Sequence, residues 1–140
     1  MLLDLSPLDR AVSQLETFYA LSTQPQERPI MAEAVRMAAI QAFEYSYELS
    51  VKMLRRFLEM TEPNPAALDD ATFQSLIRLG SERGLLKSDL PVWMEFRRQR
   101  GTTSHAYDAA KAAQVHAAIP AFVEDAQFLL AELHRRSRDT

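Results

Sequence analysis

The chain has 140 residues, 47% hydrophobic and 25% charged, a balance that excludes wholesale disorder and suits one domain with its own core. Its net charge of −3 gives no overall pull toward nucleic acid, so any RNA or DNA contact has to come from a local patch. Zero cysteines exclude disulfides and thiolate chemistry, and three glycines with no Asn-Gly or Asp-Gly pair argue against hairpins and toward helices.

The opening "MLLDLSPLDR" lacks the basic start and long apolar run of a signal peptide, and no run is long and apolar enough to span a membrane. The expectation is a soluble, cytoplasmic protein. A first helix begins at "SPLD", with Ser6 as the expected N-cap, Pro7 at the first helical position and Asp9 favourable in the first turn. Leu8, Val12, Leu15 and Tyr19 give it one apolar face, and Pro25 and Pro29 end it.

From Ile30 to Glu62 there is neither glycine nor proline, which allows a helix of about 50 Å at 1.5 Å per residue. Phe43, Tyr47, Val51, Leu54 and Leu58 form one apolar row, and Leu49, Met53 and Phe57 form a second beside it. So wide a surface implies burial against several partners. The remaining polar stripe runs through Glu44, Glu48, Lys52, Arg55 or Arg56, and Glu59. Glu48 with Lys52, and Arg55 with Glu59, have favourable i,i+4 spacing, whereas Glu44 with Glu48 is repulsive. Such a stripe is either a solvated or interhelical face or the lining of a cleft.

The connection "EPNPAALDD" leads to a shorter helix through Phe73, Leu76, Ile77 and Leu79, which Gly84 stops. Ser88 or Asp89 caps the next helix, with Pro91 in its first turn and Trp93, Phe96 and Arg100 at spacings of three and four. Asp108 then caps a last helix whose seam is Val115, Ile119, Phe122, Ala126, Leu129 and Leu133. The sequence leaves open whether Pro120 kinks or divides it. The fold class expected is all-α: one domain over residues 1–140, an up-and-down antiparallel bundle of four to five helices.

Between the last two helices stands "RGTTSHAYD", Arg100 to Asp108. In an unbroken helix Arg100 and His105 would lie about 140° apart, at about 100° per residue. Gly101 and the β-branched Thr102 and Thr103 predict a break there, which lets Arg100 close one helix while His105 and Tyr107 open the next. Arginine offers a permanent charge and a planar donor fork to a phosphodiester, and histidine exchanges protons near neutrality. Together they suit RNA cleavage without a metal, and a two-fold dimer would supply a second Arg and His. The plainer alternative is a solvated histidine, or one that caps backbone carbonyls. His116 and His134 read as structural or surface groups. No metal-ligand spacing and no glycine-rich phosphate loop is present, so neither a metal nor a cofactor is expected.

Two phrases together resemble a known family. "FEYSYELSVKMLRRFLE", Phe43 to Glu59, and "RQRGTTSHAYD", Arg98 to Asp108, are similar to the minimal HEPN family, the nucleotidyltransferase substrate-binding type. Its F-E-x-x-Y-E-L-x-x-K is met by Phe43, Glu44, Tyr47, Glu48, Leu49 and Lys52. Its Arg, four residues, His, one residue, Tyr is met by Arg100, His105 and Tyr107, with Thr103, Ser104 and Asp108 fitting around them. The resemblance implies a helical homodimer paired with a small nucleotidyltransferase encoded nearby, as in a toxin–antitoxin system. It implies a metal-independent RNase with Arg100 and His105 catalytic at a dimer cleft, and inhibition by AMP transfer to Tyr107. Thr103, Ser104, Asp108, Glu44, Glu48 and Lys52 would support that cleft. The family usually carries a polar residue, often asparagine, after the arginine; Gly101 departs from that, which bears on catalytic proficiency. The alternatives are a non-catalytic transferase-binding or substrate-binding subunit, and a helical dimer whose motif is purely structural.

Overall fold

The computed structural model describes residues 3–138, and among these there are helices and no strands. The long elements are α1 (Ser6–Ser22), α2 (Pro29–Thr61), α4 (Leu90–Thr102) and α5 (Ala109–Arg138), with a short α3 (Phe73–Glu82) between α2 and α4. Single 3-10 turns cover Pro65–Leu68 and Thr103–His105. The all-helical bundle expected from the pattern is what forms.

Cross-helix pairs fix the directions. Ser22, Glu16 and Asp9 of α1 meet His116, Gln127 and His134 of α5 in that order, so these two helices are antiparallel. Ser88, before α4, meets Asp125, and Phe96 meets Phe122, so α4 and α5 are antiparallel as well. α2 crosses α4 at Arg100 and Glu48 and runs alongside α5 at Phe43 and Phe122. At the centre Phe122 takes three edge-on contacts, from Phe43 at 5.1 Å, Phe96 at 5.3 Å and Trp93 at 6.1 Å. Edge-to-face packing of this kind adds about 0.5–1.5 kcal/mol per pair beyond the area buried. All six residues of the α5 seam are fully buried, as are Phe43, Leu54 and Leu58 or nearly so.

Several local expectations need correction. α1 starts at Ser6 itself, and the Asp4 carboxylate does the capping, accepting from the Ser6 N–H at 3.0 Å. An ionised oxygen two residues upstream is the better acceptor at a positive helix end, and that hydrogen bond lowers the Asp4 pKa. Asp89 holds the N-cap position of α4 without a side-chain bond; Asp125 of α5 instead accepts from the Ser88 N–H and hydroxyl, both at 2.9 Å. Pro120 does not divide α5. It lies exposed, and it lacks the N–H that would donate to the carbonyl four residues earlier. Gly84 does stop α3: its φ is +74°, and Leu85 N–H to Gly80 O (2.9 Å) with Gly84 N–H to Ser81 O (3.0 Å) close both bonds of a Schellman motif.

Candidate active site

The motif does not break where the sequence predicts. α4 continues through Gly101 to Thr102, and the chain leaves helix only in the 3-10 turn Thr103–His105. Gly101 has ordinary helical backbone, and a Cβ there would meet nothing within 4 Å. The interruption comes instead from hydroxyls taking backbone carbonyls: Thr103 Oγ1 lies 2.6 Å from Arg100 O and Ser104 Oγ 3.0 Å from Gly101 O. Short polar side chains compete with the helix ladder in this way. α5 is then restarted by Asp108, whose Oδ1 accepts from the N–H groups of Ala110 (2.9 Å) and Lys111 (3.1 Å), as expected of its cap.

Arg100 sits in the last turn of α4, and His105 and Tyr107 lie in the connection rather than opening α5. Between them Ala106 is buried, and this anchors the loop and leaves its two neighbours facing outward. His105 is exposed, and Tyr107 is 84% exposed with its ring edge-on to the histidine at 6.1 Å. Burial of so small a residue is what sequence reading missed; an alanine between two candidate site residues reads as filler.

The charged stripe of α2 supplies the other wall. Arg100 Nε donates to Glu48 Oε1 at 3.0 Å, Nη2 donates to the same oxygen, and Glu44 Oε1 stands 3.8 Å from Nη2. These carboxylates, Glu48 first, raise the already high pKa of Arg100. The repulsion expected between Glu44 and Glu48 is thus offset by a shared guanidinium. The single proton of the Thr103 hydroxyl also has Glu44 Oε2 within reach at 2.7 Å, which ties the 3-10 turn to α2. Tyr47, buried next to this group, has its phenol pushed up to about 12, by burial above all. The neighbouring turn of α4 holds a second network: Arg98 makes a bidentate bond to Glu95, which also accepts from Gln99, and Glu95 is held down at about 2.

Of the nine residues expected at the site, the structure joins Arg100, Glu48, Glu44 and Thr103 into one bonded cluster, with Ser104, His105, Tyr107 and Asp108 along the adjoining loop. Lys52 is exposed one turn beyond Glu48, and no ion pair joins the two among the described residues. Nor does Arg55 pair with Glu59; it reaches across to donate to the carbonyls of Leu68 (2.8 Å) and Ala71 (3.4 Å). Beside Glu44 and Thr103 lies a 430 Å³ hollow, lined further by Ala34, Met37, Ala38, Ile40 and Gln41. Among the described residues no three acidic or histidine side chains gather as metal ligands, and no helix is long and apolar enough to cross a membrane.

Residues 3–135 match the profile of the family described as nucleotidyltransferase substrate binding protein like. The chain belongs to this family. Among curated relatives, the probable ribonuclease HepT of Haemophilus influenzae is 34% identical over 140 residues, which cover 97% of this chain and 95% of the relative. A solved Haemophilus influenzae structure, described as revealing the fold of a substrate binding domain of a nucleotidyltransferase, superposes with a TM-score of 0.85. Its identity is 33%, over 94% of this chain and 99% of the other. A crystal structure from Thermus thermophilus superposes with a TM-score of 0.70 at 27% identity, over 90% of this chain and 98% of its own. The family expected from the two sequence phrases is the one that matches, and its fold is the one this chain adopts.

The other two histidines are structural. His116 bonds the Ser22 hydroxyl at 2.7 Å and stacks on Tyr19 at 4.9 Å, and burial followed by the charge of Arg36 lowers its pKa. His134 pairs with Asp9 at 2.9 Å across α1 and α5.

Proposed function

We propose that this protein is the ribonuclease of a toxin–antitoxin pair, a cytoplasmic homodimer that cleaves RNA without a metal and is restrained by a small nucleotidyltransferase. The observation that carries this reading is the placement of Arg100 at the end of α4 beside a loop that presents His105 and Tyr107 outward on either side of the buried Ala106. In the reaction a ribose 2′-oxygen attacks the adjacent phosphorus and the bond to the 5′-oxygen breaks. The products are a 2′,3′-cyclic phosphate and a 5′-hydroxyl. His105 takes the 2′-proton or returns one to the leaving oxygen, and Arg100 faces the charge that gathers on the phosphoryl oxygens. One chain holds one such pair, whereas cleavage needs groups on both sides of the phosphorus. A second copy supplies them. AMP joined to Tyr107 would place a phosphodiester where the RNA backbone has to lie, and charge and bulk would both oppose binding.

The experiment is a cleavage assay with purified protein and EDTA. Removing a transition-state donor costs roughly 100-fold or more, so Arg100→Ala and His105→Ala should each abolish measurable cleavage and growth arrest. Activity lost with EDTA, or kept in His105→Ala, rejects the reading. After co-expression with the neighbouring transferase, adenylyl mass on the Tyr107 peptide, absent in Tyr107→Phe, supports the regulatory part.

One observation favours a second reading, a non-catalytic subunit that binds the transferase or its substrate. The charge of Arg100 is already shared with two carboxylates. On that reading wild type cleaves nothing, while the transferase still co-purifies.

A further inference from the structure

Between α4 and α5 lies a second hollow, of 460 Å³, within the range of small-ligand sites. Val92 and Phe96 of α4 and Ala117, Ala118 and Ala121 of α5 give it apolar walls, and its polar groups are Glu95, Gln99 and Gln114. Gln99 is what makes it more than a gap between small residues. It continues the row of Trp93 and Phe96 at a step of three and is 3% exposed, a place on α4 where helical spacing calls for an apolar side chain. Its amide nitrogen donates to Glu95 Oε1 at 3.0 Å. An ionised carboxylate accepts and does not donate, so the nitrogen has to face Glu95 and the amide cannot be turned round. The Gln99 oxygen is then a buried acceptor with no donor among the described residues. A group left in that state destabilises a fold, and a donor brought into the hollow that the same side chain lines would satisfy it.

A ligand for this hollow has apolar flat faces and N–H donors along one edge. Nucleobases that carry an exocyclic amine are of this class. The amine brings two donors, whereas the N–H of uracil is flanked by two carbonyl oxygens that would be turned toward the Glu95 carboxylate. A two-ring purine also covers more of the apolar wall than a pyrimidine does. The position fits too. Gln99 stands three residues, about 4.5 Å of helix rise, before the end of α4 at Thr102, and Gln114 stands five residues, about 7.5 Å, into α5. The loop that carries His105 and Tyr107 joins the two helices at that same end. Gln99 and Arg100 leave α4 about 100° apart, so a base in the hollow and a phosphate at Arg100 belong on adjoining sides of one helix.

We propose that the hollow between α4 and α5 seats a purine base with an exocyclic amine, which donates to the Gln99 oxygen. The base is that of an RNA nucleotide beside the one cut; this clause rests on the ribonuclease reading above, and the seat itself does not.

The test is a titration of the full chain, isotopically labelled for NMR, with AMP, GMP and UMP at millimolar concentration. AMP and GMP should shift the Gln99 side-chain amide and the Val92 and Ala118 backbone amides. They should bind about 10-fold or more tightly than UMP, the worth of one buried hydrogen bond. Gln99→Met keeps the length and removes the acceptor, and should bring AMP and GMP down to the level of UMP. Ala117→Trp fills the hollow from an exposed position and should abolish the shifts with the circular dichroism unchanged. Ala131→Trp, exposed elsewhere on α5, should leave them as in wild type. Absent shifts, equal binding of all three nucleotides, or shifts that survive Ala117→Trp overturn the seat. Cleavage of RNAs that differ in the base beside the cut identifies the source: A or G favoured over U by wild type, and not by Gln99→Met, places the base in the RNA. Cleavage by a wild type that shows no nucleotide shifts overturns the seat and leaves the ribonuclease reading standing. Purine-specific shifts in a protein that cuts no RNA uphold the seat and overturn that reading.

Discussion

α3 seats on α2 through Gly80 and Leu54, and a double-mutant cycle at these two positions tests that contact. Leu54 is 1% exposed, and a Cβ built on Gly80 would lie 3.2 and 3.3 Å from its two methyl carbons and 3.1 Å from Leu86 Cδ1. Leu54→Ala removes both methyls and leaves a cavity, at a cost of about 2–5 kcal/mol. Gly80→Ala alone gains about 1 kcal/mol of helix propensity. Against this stands about 1–3 kcal/mol of overpacking, so its net effect is between neutral and a modest loss. In the Leu54→Ala background two of the three close obstacles are gone, the new methyl occupies part of the cavity, and of the three only the movable end of Leu86, at 3.1 Å, remains. The same substitution should then stabilise by about 1 kcal/mol, so the two changes couple by about 1–3 kcal/mol. Urea unfolding of the four proteins with a common slope measures this. Additivity to within about 0.5 kcal/mol would refute the packing of α3 described above.

Gly101→Ala should stabilise the protein by about 0.5–1 kcal/mol in the same assay, because the position is helical and its Cβ meets open space; a loss would mean the backbone there needs glycine after all. Glu48→Ala should cost under about 1 kcal/mol, as half-exposed ion pairs do, while cleavage falls because the guanidinium of Arg100 loses its strongest tie. A large drop in stability with unchanged cleavage would count against that. The His116 pKa is depressed below 6.5, so its contribution to stability is present above pH 6.5 and lost as pH falls through the folded value. Melting temperature should therefore decline on acidification from pH 7 toward 5, less steeply in His116→Gln, and equal slopes would remove burial of this ring as the cause.

The elements whose apolar spacing was longest were the most legible. The α5 seam is buried, and so are Phe43, Tyr47, Leu54 and Leu58 of one α2 row and Met53 and Phe57 of the other, because a wide apolar face has few places to go. Caps and ion pairs were less so. Arg55 is drawn to the carbonyls of Leu68 and Ala71, and Asp125 captures Ser88, and neither partner is near in sequence. An i,i+4 rule sees only the helix it is applied to, and a tertiary acceptor competes with it unseen. Gly101 shows the converse: propensity argued for a break, yet about 1 kcal/mol is small against a helix packed by Trp93 and Phe96. The residue types of the site could be read from the motif, whereas their arrangement around Arg100 needed the crossing of α2 and α4.

The bonds of α5 have a consequence for how the molecule is made. This last helix in chain order supplies the partners of Glu16, Asp9, Ser88 and Lys87, and Phe122 at the centre of the aromatic core. During synthesis the earlier elements emerge first. A growing chain that already displays Arg100 and His105 still lacks the helix that holds α1 and α4 in place. On the ribonuclease reading, the site is therefore completed only once α5 has been made, and the interval is one in which a partner can arrive.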